Sequence, residues 1–128
     1  MKKKQFIIPV LFLLVIVLAF KCVLFIGYVP SESMEPTLKA GSYIIGNRIY
    51  GELHRGDIII FKHNGKMLVK RIAATPGEHI TENGITYIIP EAGYFVIGDN
   101  KQNSFDSRFW ADPFVSKNDI KAKVFGGF

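Results

Sequence analysis

The sequence lacks the residues that build disulfide frameworks and metal centres. Its single cysteine, Cys22, excludes an intramolecular disulfide, and its place in an apolar run favours a small apolar side chain. The three histidines, His54, His63 and His79, are scattered without the spacing of metal ligands. We therefore predict no internal disulfide and no metal centre, and we place the histidines at the surface.

The chain also has little excess charge outside its N-terminal segment. Its formal net charge is +5, yet residues 30–128 carry twelve Lys and Arg against eleven Asp and Glu. A nucleic-acid-binding domain would carry a clustered basic surface, so this near balance argues against a nucleic-acid partner. The length of 128 residues leaves room for one small domain after the N-terminal segment.

A long apolar run near the N-terminus predicts a membrane anchor over residues 6–29. As a helix rising about 1.5 Å per residue, this run would cross a hydrocarbon core of about 30 Å. A cleaved secretory signal is the alternative, but no two small residues in the run have the spacing of a cleavage site. The lysines at 2–4 place residues 1–5 in the cytoplasm and residues 30–128 outside, as expected for a single-pass protein of the cell membrane.

No stretch after Pro30 shows the period of an amphipathic helix. Short runs rich in isoleucine and aromatic residues alternate with glycine turns, and Asn64-Gly65 is a strong signal for a two-residue hairpin. The predicted strands are 42–49, 57–63, 66–74, 85–89, 94–97 and 120–125. The expected fold class is mainly β, a small antiparallel sheet or barrel-like domain preceded by one N-terminal transmembrane helix.

Lys70 lies inside one of these apolar strands. Because side chains alternate along a strand, Leu68, Lys70 and Ile72 share one face. If that face is buried, desolvation disfavours the ammonium and lowers the pKa of Lys70, which would let the amine act as a base. The alternative is an exposed strand whose lysine reaches water along its own stem.

Four segments that follow the apolar run, taken together and in this order, closely resemble the motifs of the type I signal peptidases. They are residues 31–37 (SESMEPT), 55–61 (RGDIIIF), 70–78 (KRIAATPGE) and 98–108 (GDNKQNSFDSR). The resemblance extends over about residues 6–125. It implies a serine endopeptidase with a Ser/Lys dyad that needs no metal or organic cofactor.

The resemblance assigns a role to each matching residue. Ser33 matches the nucleophile and Lys70 the general base. Ser31 matches the oxyanion-hole hydroxyl, which acts together with the backbone N–H of Ser33. Arg71 falls at the family's second basic position, on the strand face opposite Lys70, and we expect a structural role for it.

Three further residues complete the implied site. Ser104 matches the serine that hydrogen-bonds and orients the lysine. Asp106 and Arg108 match an ion pair that supports the last loop. The loop departs from the family pattern at Lys101, where arginine is usual, and residues 74–75 (AT) replace the common Gly-Leu. These departures bear on loop geometry and specificity, and no reacting group is missing.

The implied substrates are the signal peptides of exported preproteins, cleaved after small residues at −3 and −1. Membrane lipid is an expected partner, and the secretion translocon is a further candidate. Two other functions stay open: a specialised relative that matures a dedicated substrate such as a conjugative pilin, and an inactive membrane-tethered binding module. A self-cleaving repressor with a Ser/Lys dyad fits poorly, because the chain has an apolar anchor segment and no DNA-binding domain.

An aromatic cluster follows the last motif and admits two interpretations. Phe109, Trp110 and Phe114 lie just after the loop expected to border the site. Aromatic side chains near a bilayer can lie in its interface. They can equally fill the core of a small domain.

Overall fold

The computed structural model describes residues 2–127. It contains one long helix followed by nine strands. The elements are α1 (Lys2–Val23), β1 (Leu24–Tyr28), β2 (Tyr43–Asn47), β3 (Ile58–His63), β4 (Lys66–Ala74), β5 (His79–Glu82), β6 (Ile85–Ile88), β7 (Gly93–Ile97), β8 (Val115–Ser116) and β9 (Ile120–Gly127).

Helix α1 is long and apolar enough to cross a membrane, and none of its residues is buried against the rest of the protein. Its boundaries differ from the predicted 6–29. The helix begins at Lys2 and ends at Val23, and Leu24–Tyr28 form strand β1. Apolarity alone does not separate a helix from a strand at the end of such a run, and the pairing of β1 with β2 decides the outcome here.

Seven strands form one sheet in the order β1-β2-β9-β3-β4-β7-β8, and β5 pairs with β6 in a separate two-stranded sheet. Every pairing is antiparallel. The prediction of a mainly β, antiparallel fold after one N-terminal helix is therefore confirmed.

Two Asn-Gly turns connect neighbouring strands. Asn64 and Gly65 have φ values of 48° and 78°, and Asn83 and Gly84 have φ values of 51° and 78°. Consecutive positive φ angles are those of a type I′ turn, whose twist matches that of a hairpin. The first turn fixes the β3–β4 register and thereby places Lys70 opposite Ile59.

Three strands are absent from the sequence-based prediction. β1 is hidden in the apolar run, and β8 has only two residues. β5 contains His79, Thr81 and Glu82, so its composition is more polar than that of a typical strand. Its pairing with β6 through the second Asn-Gly turn makes it a strand.

The core consists of three clusters of buried side chains on the faces of the sheet. Trp110 belongs to the first cluster, is only 9% exposed and packs against Phe61 and His63. The interfacial interpretation of Trp110 is therefore wrong, since the ring is used in packing. Phe105 and Phe109 stack on each other at the surface.

Candidate active site

Ser33 lies in the turn region between β1 and β2 and is 7% exposed. The next side chain, Met34, is buried in the second core cluster and anchors the turn. The backbone carbonyl of Ser33 accepts a hydrogen bond from the N–H of Asn100 at 2.9 Å, and the Asn100 amide donates to the carbonyl of Glu32 at 3.1 Å. Packing of Met34 in the core and the hydrogen bonds from Asn100, in the loop after β7, therefore hold the turn in place.

Lys70 points from β4 to the hydroxyl of Ser33. Its Nζ lies 2.6 Å from Oγ of Ser33, and the lysine is only 4% exposed. Leu68 and Ile72, on the same strand face, and Ile59, across the ladder, belong to the first core cluster or pack against it. The exposed-strand alternative is therefore wrong.

The surroundings of Lys70 favour its neutral form. Burial, the largest cause, lowers the pKa of the Lys70 amine below its ordinary value. The negative charge of Asp106 raises the pKa of Lys70, and the positive charge of Arg108 lowers it further. The Lys70 amine therefore becomes neutral at a lower pH than the amine of a lysine in water, and it contacts the hydroxyl of Ser33.

The exposed Ser31 places a second hydroxyl beside that of Ser33. Its hydroxyl donates to Oγ of Ser33 at 3.3 Å. Within residues 2–127, the backbone N–H of Ser33 has no hydrogen-bond acceptor. These two groups are the donors expected to face an oxyanion at this position.

Gly98 allows the loop after β7 to approach Ser33. A Cβ at this residue would lie 2.2 Å from Oγ of Ser104 and 2.5 Å from the carbonyl oxygen of Ser33. Any side chain would force the loop and the turn apart. Sequence reasoning quoted this glycine within a motif but gave it no role, because a contact between two distant loops leaves no pattern in the sequence.

Asp106 is the centre of a buried polar cluster. It is 0% exposed, its carboxylate accepts hydrogen bonds from the N–H of Gly98 at 3.0 Å and the hydroxyl of Ser104 at 2.6 Å, and it pairs with the Arg108 guanidinium at 2.8 Å. Burial alone would raise the pKa of Asp106, but the hydrogen bonds from Arg108, Ser104 and the backbone lower it overall. The ion pair expected between Asp106 and Arg108 is present.

The Ser104 hydroxyl has a different hydrogen-bond partner from the lysine that the resemblance implies. Its hydroxyl donates to the carboxylate of Asp106, and in the described part of the chain Nζ of Lys70 has Ser33 as its only hydrogen-bond partner. A carboxylate is a stronger acceptor than an amine that also faces another hydroxyl. The orienting role of Ser104 therefore stays a prediction.

A second ion pair, between Arg71 and Asp99, joins β4 to the loop after β7. Arg71 donates to both carboxylate oxygens of Asp99, at 2.8 and 2.7 Å, and to the carbonyl of Gly56 at 2.6 Å. The same carboxylate accepts the hydroxyl of Thr37 at 2.6 Å. Arg71 is thus a structural residue in this arrangement, and Asp99 and Thr37 are contributors that sequence reasoning missed.

A cavity of about 190 Å³ opens beside the side chains of Ser33 and Lys70. Ser31, Ser33 and Lys70 line one part of it. The remaining wall is mainly apolar and comes from β1, the residue that follows it, and strands β2, β3 and β4; it includes Phe25, Gly27, Val29, Ile44, Ile60, Met67 and Val69. Among residues 2–127, no group of three or more His, Cys, Asp and Glu side chains is placed to hold a metal ion. The hydroxyl and amine at the edge of an apolar cavity suit nucleophilic attack on a substrate with apolar side chains.

Comparisons with known proteins find similar sequences in one family. A sequence model of the family described as "Signal peptidase, peptidase S26" matches residues 3–88 and 81–127. The chain is 29% identical to "Probable signal peptidase I-2" of Synechocystis sp. and 31% identical to "Probable signal peptidase I-1" of the same organism, over 79% and 65% of this chain. It spans 61% of the length of each of these two curated relatives.

A further relative carries a different description. "Inactive signal peptidase IA" of Staphylococcus aureus is 27% identical over 96% of this chain and 90% of its own length. Similarity along the whole chain therefore does not decide whether a protein of this kind is active, and activity has to be argued from Ser33 and Lys70. Since the family model covers nearly all of the sequence, the chain belongs to the signal peptidase family, peptidase S26.

Proposed function

We propose that this chain is a membrane-anchored serine endopeptidase that removes signal peptides from exported preproteins with a Ser/Lys dyad. The observation that carries the proposal is the 2.6 Å contact between a buried lysine Nζ and a serine Oγ at the edge of an apolar cavity. A hydroxyl is a weak nucleophile until a base takes its proton. A desolvated lysine can be that base.

The acylation step uses both residues. Oγ of Ser33 attacks the scissile carbonyl while its proton moves to the neutral Nζ of Lys70. The C–O bond forms, and the carbonyl oxygen becomes an oxyanion. As the C–N bond then breaks, the Lys70 ammonium gives its proton to the departing amine, which begins the mature protein. The signal peptide remains as an ester on Ser33.

Deacylation repeats the chemistry with water. Lys70, neutral again, takes a proton from a water molecule that attacks the ester carbonyl. The collapsing intermediate expels Oγ of Ser33, which recovers a proton from Lys70. The signal peptide leaves as a carboxylic acid that gives its proton to water, and no metal or organic cofactor takes part.

Ser31→Ala tests the oxyanion site. Removing one of two donors leaves the dyad intact, so we expect kcat to fall about 10²-fold with little change in KM. Steady-state kinetics on a peptide substrate measures both parameters. Ser116→Ala, at a serine in strand β8, serves as the matched control. A change in KM alone, or no change in either parameter, would contradict the oxyanion role of Ser31.

The pH dependence tests the neutral lysine. Because only the unprotonated amine accepts the serine proton, kcat/KM should rise with pH, with a midpoint below the ordinary lysine value. Leu68→Asn should move that midpoint upward, since a polar neighbour lessens desolvation of the amine.

Ile88→Asn, at an exposed position of β6, should leave the midpoint in place. A midpoint at the ordinary lysine value in the unaltered chain would contradict the base assignment.

The position of the site supports substrates that emerge from a membrane. Helix α1 ends ten residues before Ser33, and β1 accounts for five of them. Ten residues reach at most about 34 Å, so the nucleophile stays near the membrane surface if α1 is the anchor. Preprotein signal peptides and membrane lipid are the proposed partners, with the translocon as a further candidate.

The direct test is cleavage of a preprotein whose signal peptide ends in Ala-x-Ala by the detergent-solubilised full chain. N-terminal sequencing of the product should place the cut after the second alanine. The Ser33→Ala chain, prepared identically, should give no product. Binding of the preprotein without cleavage would support the inactive tethered module instead.

A further inference from the structure

Asn100 holds the peptide groups on both sides of Ser33. Its backbone N–H donates to the carbonyl oxygen of Ser33 at 2.9 Å, and its side-chain Nδ2 donates to the carbonyl oxygen of Glu32 at 3.1 Å. The first bond restrains the peptide group that follows the nucleophile, and the second restrains the one that precedes it. One residue of a distant loop therefore orients the backbone on each side of the reactive hydroxyl.

The bond to Glu32 determines where the N–H of Ser33 points. The carbonyl of Glu32 and the N–H of Ser33 belong to the same peptide group, which is trans, since the only cis bond within residues 2–127 precedes Pro36. In a trans peptide these two groups point in opposite directions. Because the carbonyl is directed at Asn100, the N–H is directed away from the loop after β7, and it meets no acceptor among the described residues.

The same hydrogen bond strengthens this N–H as a donor. A donor on the carbonyl oxygen draws electron density from the peptide group, and hydrogen bonds linked in this way reinforce each other by about 10–30% per bond. An N–H that is aimed and polarised before the substrate arrives needs no reorganisation when negative charge develops on the scissile carbonyl oxygen. The amide of Asn100 is therefore linked to that oxygen through a single peptide group.

Asn100 is itself held in place. It precedes the short 3₁₀ helix Lys101–Asn103, and its carbonyl accepts the N–H of Asn103 at 2.9 Å. An asparagine before a helix commonly uses its side chain as a cap, but this side chain makes no capping bond. The preceding residue, Asp99, pairs with Arg71 through two hydrogen bonds. The backbone of Asn100 is thus restrained on both sides, and its side-chain amide is available to the nucleophile turn.

We propose that Asn100 is a positioning residue for the oxyanion site and that it acts through the peptide group between Glu32 and Ser33. The inference rests on the proposed function, which supplies the oxyanion. It gives a role in the reaction to a residue that hydrogen-bonds the backbone of the turn and not the amine of Lys70. Loss of the Asn100 amide should weaken stabilisation of the transition state and leave substrate binding and proton transfer to Lys70 in place.

Asn100→Leu tests this role, because leucine has nearly the same size and lacks the amide. We expect kcat on a peptide substrate to fall about 10-fold, less than the loss from removing a donor outright, with KM changed less than about twofold. The pH midpoint of kcat/KM should match that of the unaltered chain, since the surroundings of Lys70 are kept. Asn103→Leu, at an exposed asparagine of the same loop, is the matched control and should retain full activity.

Isotope labelling observes the same peptide group without turnover. Glutamate is followed by serine only once in the sequence, at Glu32 and Ser33, so ¹³C-carbonyl glutamate and ¹⁵N-serine give one NMR correlation in the detergent-solubilised chain. A hydrogen-bond donor on a carbonyl oxygen deshields the carbonyl carbon. The carbon signal of Glu32 should therefore move upfield in the Asn100→Leu chain and keep its position in the Asn103→Leu chain.

A signal that does not move, or a kcat equal to that of the Asn103→Leu chain, overturns the role of Asn100. A fall in kcat with a shifted pH midpoint or a raised KM overturns it as well, because the whole turn has then been displaced. Asn100→Ala also removes the amide and takes the place of the leucine variant if circular dichroism shows that variant to be unfolded.

Failure of the proposed function is seen in the unaltered chain. If that chain cleaves no peptide, the proposed function is overturned, and the role of Asn100 in the reaction is overturned with it. If the unaltered chain cleaves and the Asn100→Leu chain cleaves equally well, the proposed function stands and only the role of Asn100 is overturned.

Discussion

Substitution of Lys70 by arginine should abolish cleavage, with a loss in kcat/KM of about 10⁴-fold or more. A guanidinium stays protonated at any workable pH, so it cannot accept the proton of Ser33. Ser33→Ala should cause a similar loss, because nucleophile and base act as a unit and neither role passes to a neighbour. The measurement is the rate of preprotein cleavage by equal amounts of detergent-solubilised protein.

Lys62→Arg is the matched control for charge and side-chain size. Lys62 lies in the neighbouring strand β3 and is exposed, and among the hydrogen bonds of residues 2–127 the one to the Ser33 hydroxyl from a lysine comes from Lys70. We expect its cleavage rate to be unchanged. Substantial turnover by the Lys70→Arg chain would remove Lys70 from the role of general base.

Substitution of Asp106 by alanine should have the largest effect on stability. The carboxylate is fully buried and accepts hydrogen bonds from Gly98, Ser104 and Arg108. Its removal leaves the charge of the Arg108 side chain, only 8% exposed, without a carboxylate partner. Breaking a buried pair from one side costs about 3–5 kcal/mol in the free energy of unfolding. The loop that carries Gly98 should loosen, and activity should fall with stability.

Thermal unfolding of the two chains in the same detergent measures this effect. Each kcal/mol lost should lower Tm by about 4–8 °C in a domain of this size. Asp119→Ala, at an exposed aspartate before β9, should change the unfolding free energy by less than about 0.5 kcal/mol. Equal Tm values for the Asp106→Ala and Asp119→Ala chains would contradict a stabilising role for the buried cluster.

The sheet could be predicted from the sequence where local signals were strong. Asn64-Gly65 determines both a turn and a register, and the register alone puts Lys70 on a face with Leu68 and Ile72. The alternation of side chains thus placed Lys70 among aliphatic neighbours, but it left open whether that face is buried or exposed, and only the structure decides this. The end of the helix could not be predicted from the sequence, because Leu24–Tyr28 are as apolar as the helix before them and only pairing with β2 makes them a strand.

The candidate site was predicted less completely than the sheet. Motif resemblance identified Ser33, Lys70 and the Asp106–Arg108 pair, and the structure brings them together. The resemblance implied Lys70 as the partner of the Ser104 hydroxyl, whereas the hydroxyl donates to Asp106, and a motif match gives no positions from which this acceptor could be predicted. Contacts between distant loops, such as the close approach of Gly98 to the Ser33 carbonyl, likewise leave no periodic signal.

The aromatic segment shows why burial needs three-dimensional information. Phe109 and Trp110 are adjacent, yet Phe109 is 51% exposed and Trp110 is 9% exposed. Trp110 packs on His63 near the end of β3, a residue far from it in sequence. A short irregular segment has no fixed period that would assign one ring to the core and the next to the surface.

The central claim is that Ser33 forms an ester with the substrate when Lys70 takes its proton. Rapid acid quenching after mixing the solubilised chain with an activated ester of an alanine-terminated peptide should trap that intermediate. Intact-mass spectrometry should then show one added acyl group, and peptide mapping should locate it on Ser33. The Ser33→Ala and Lys70→Arg chains should remain unlabelled. An acyl group on another residue, or equal labelling of the Ser33→Ala chain, would contradict the mechanism.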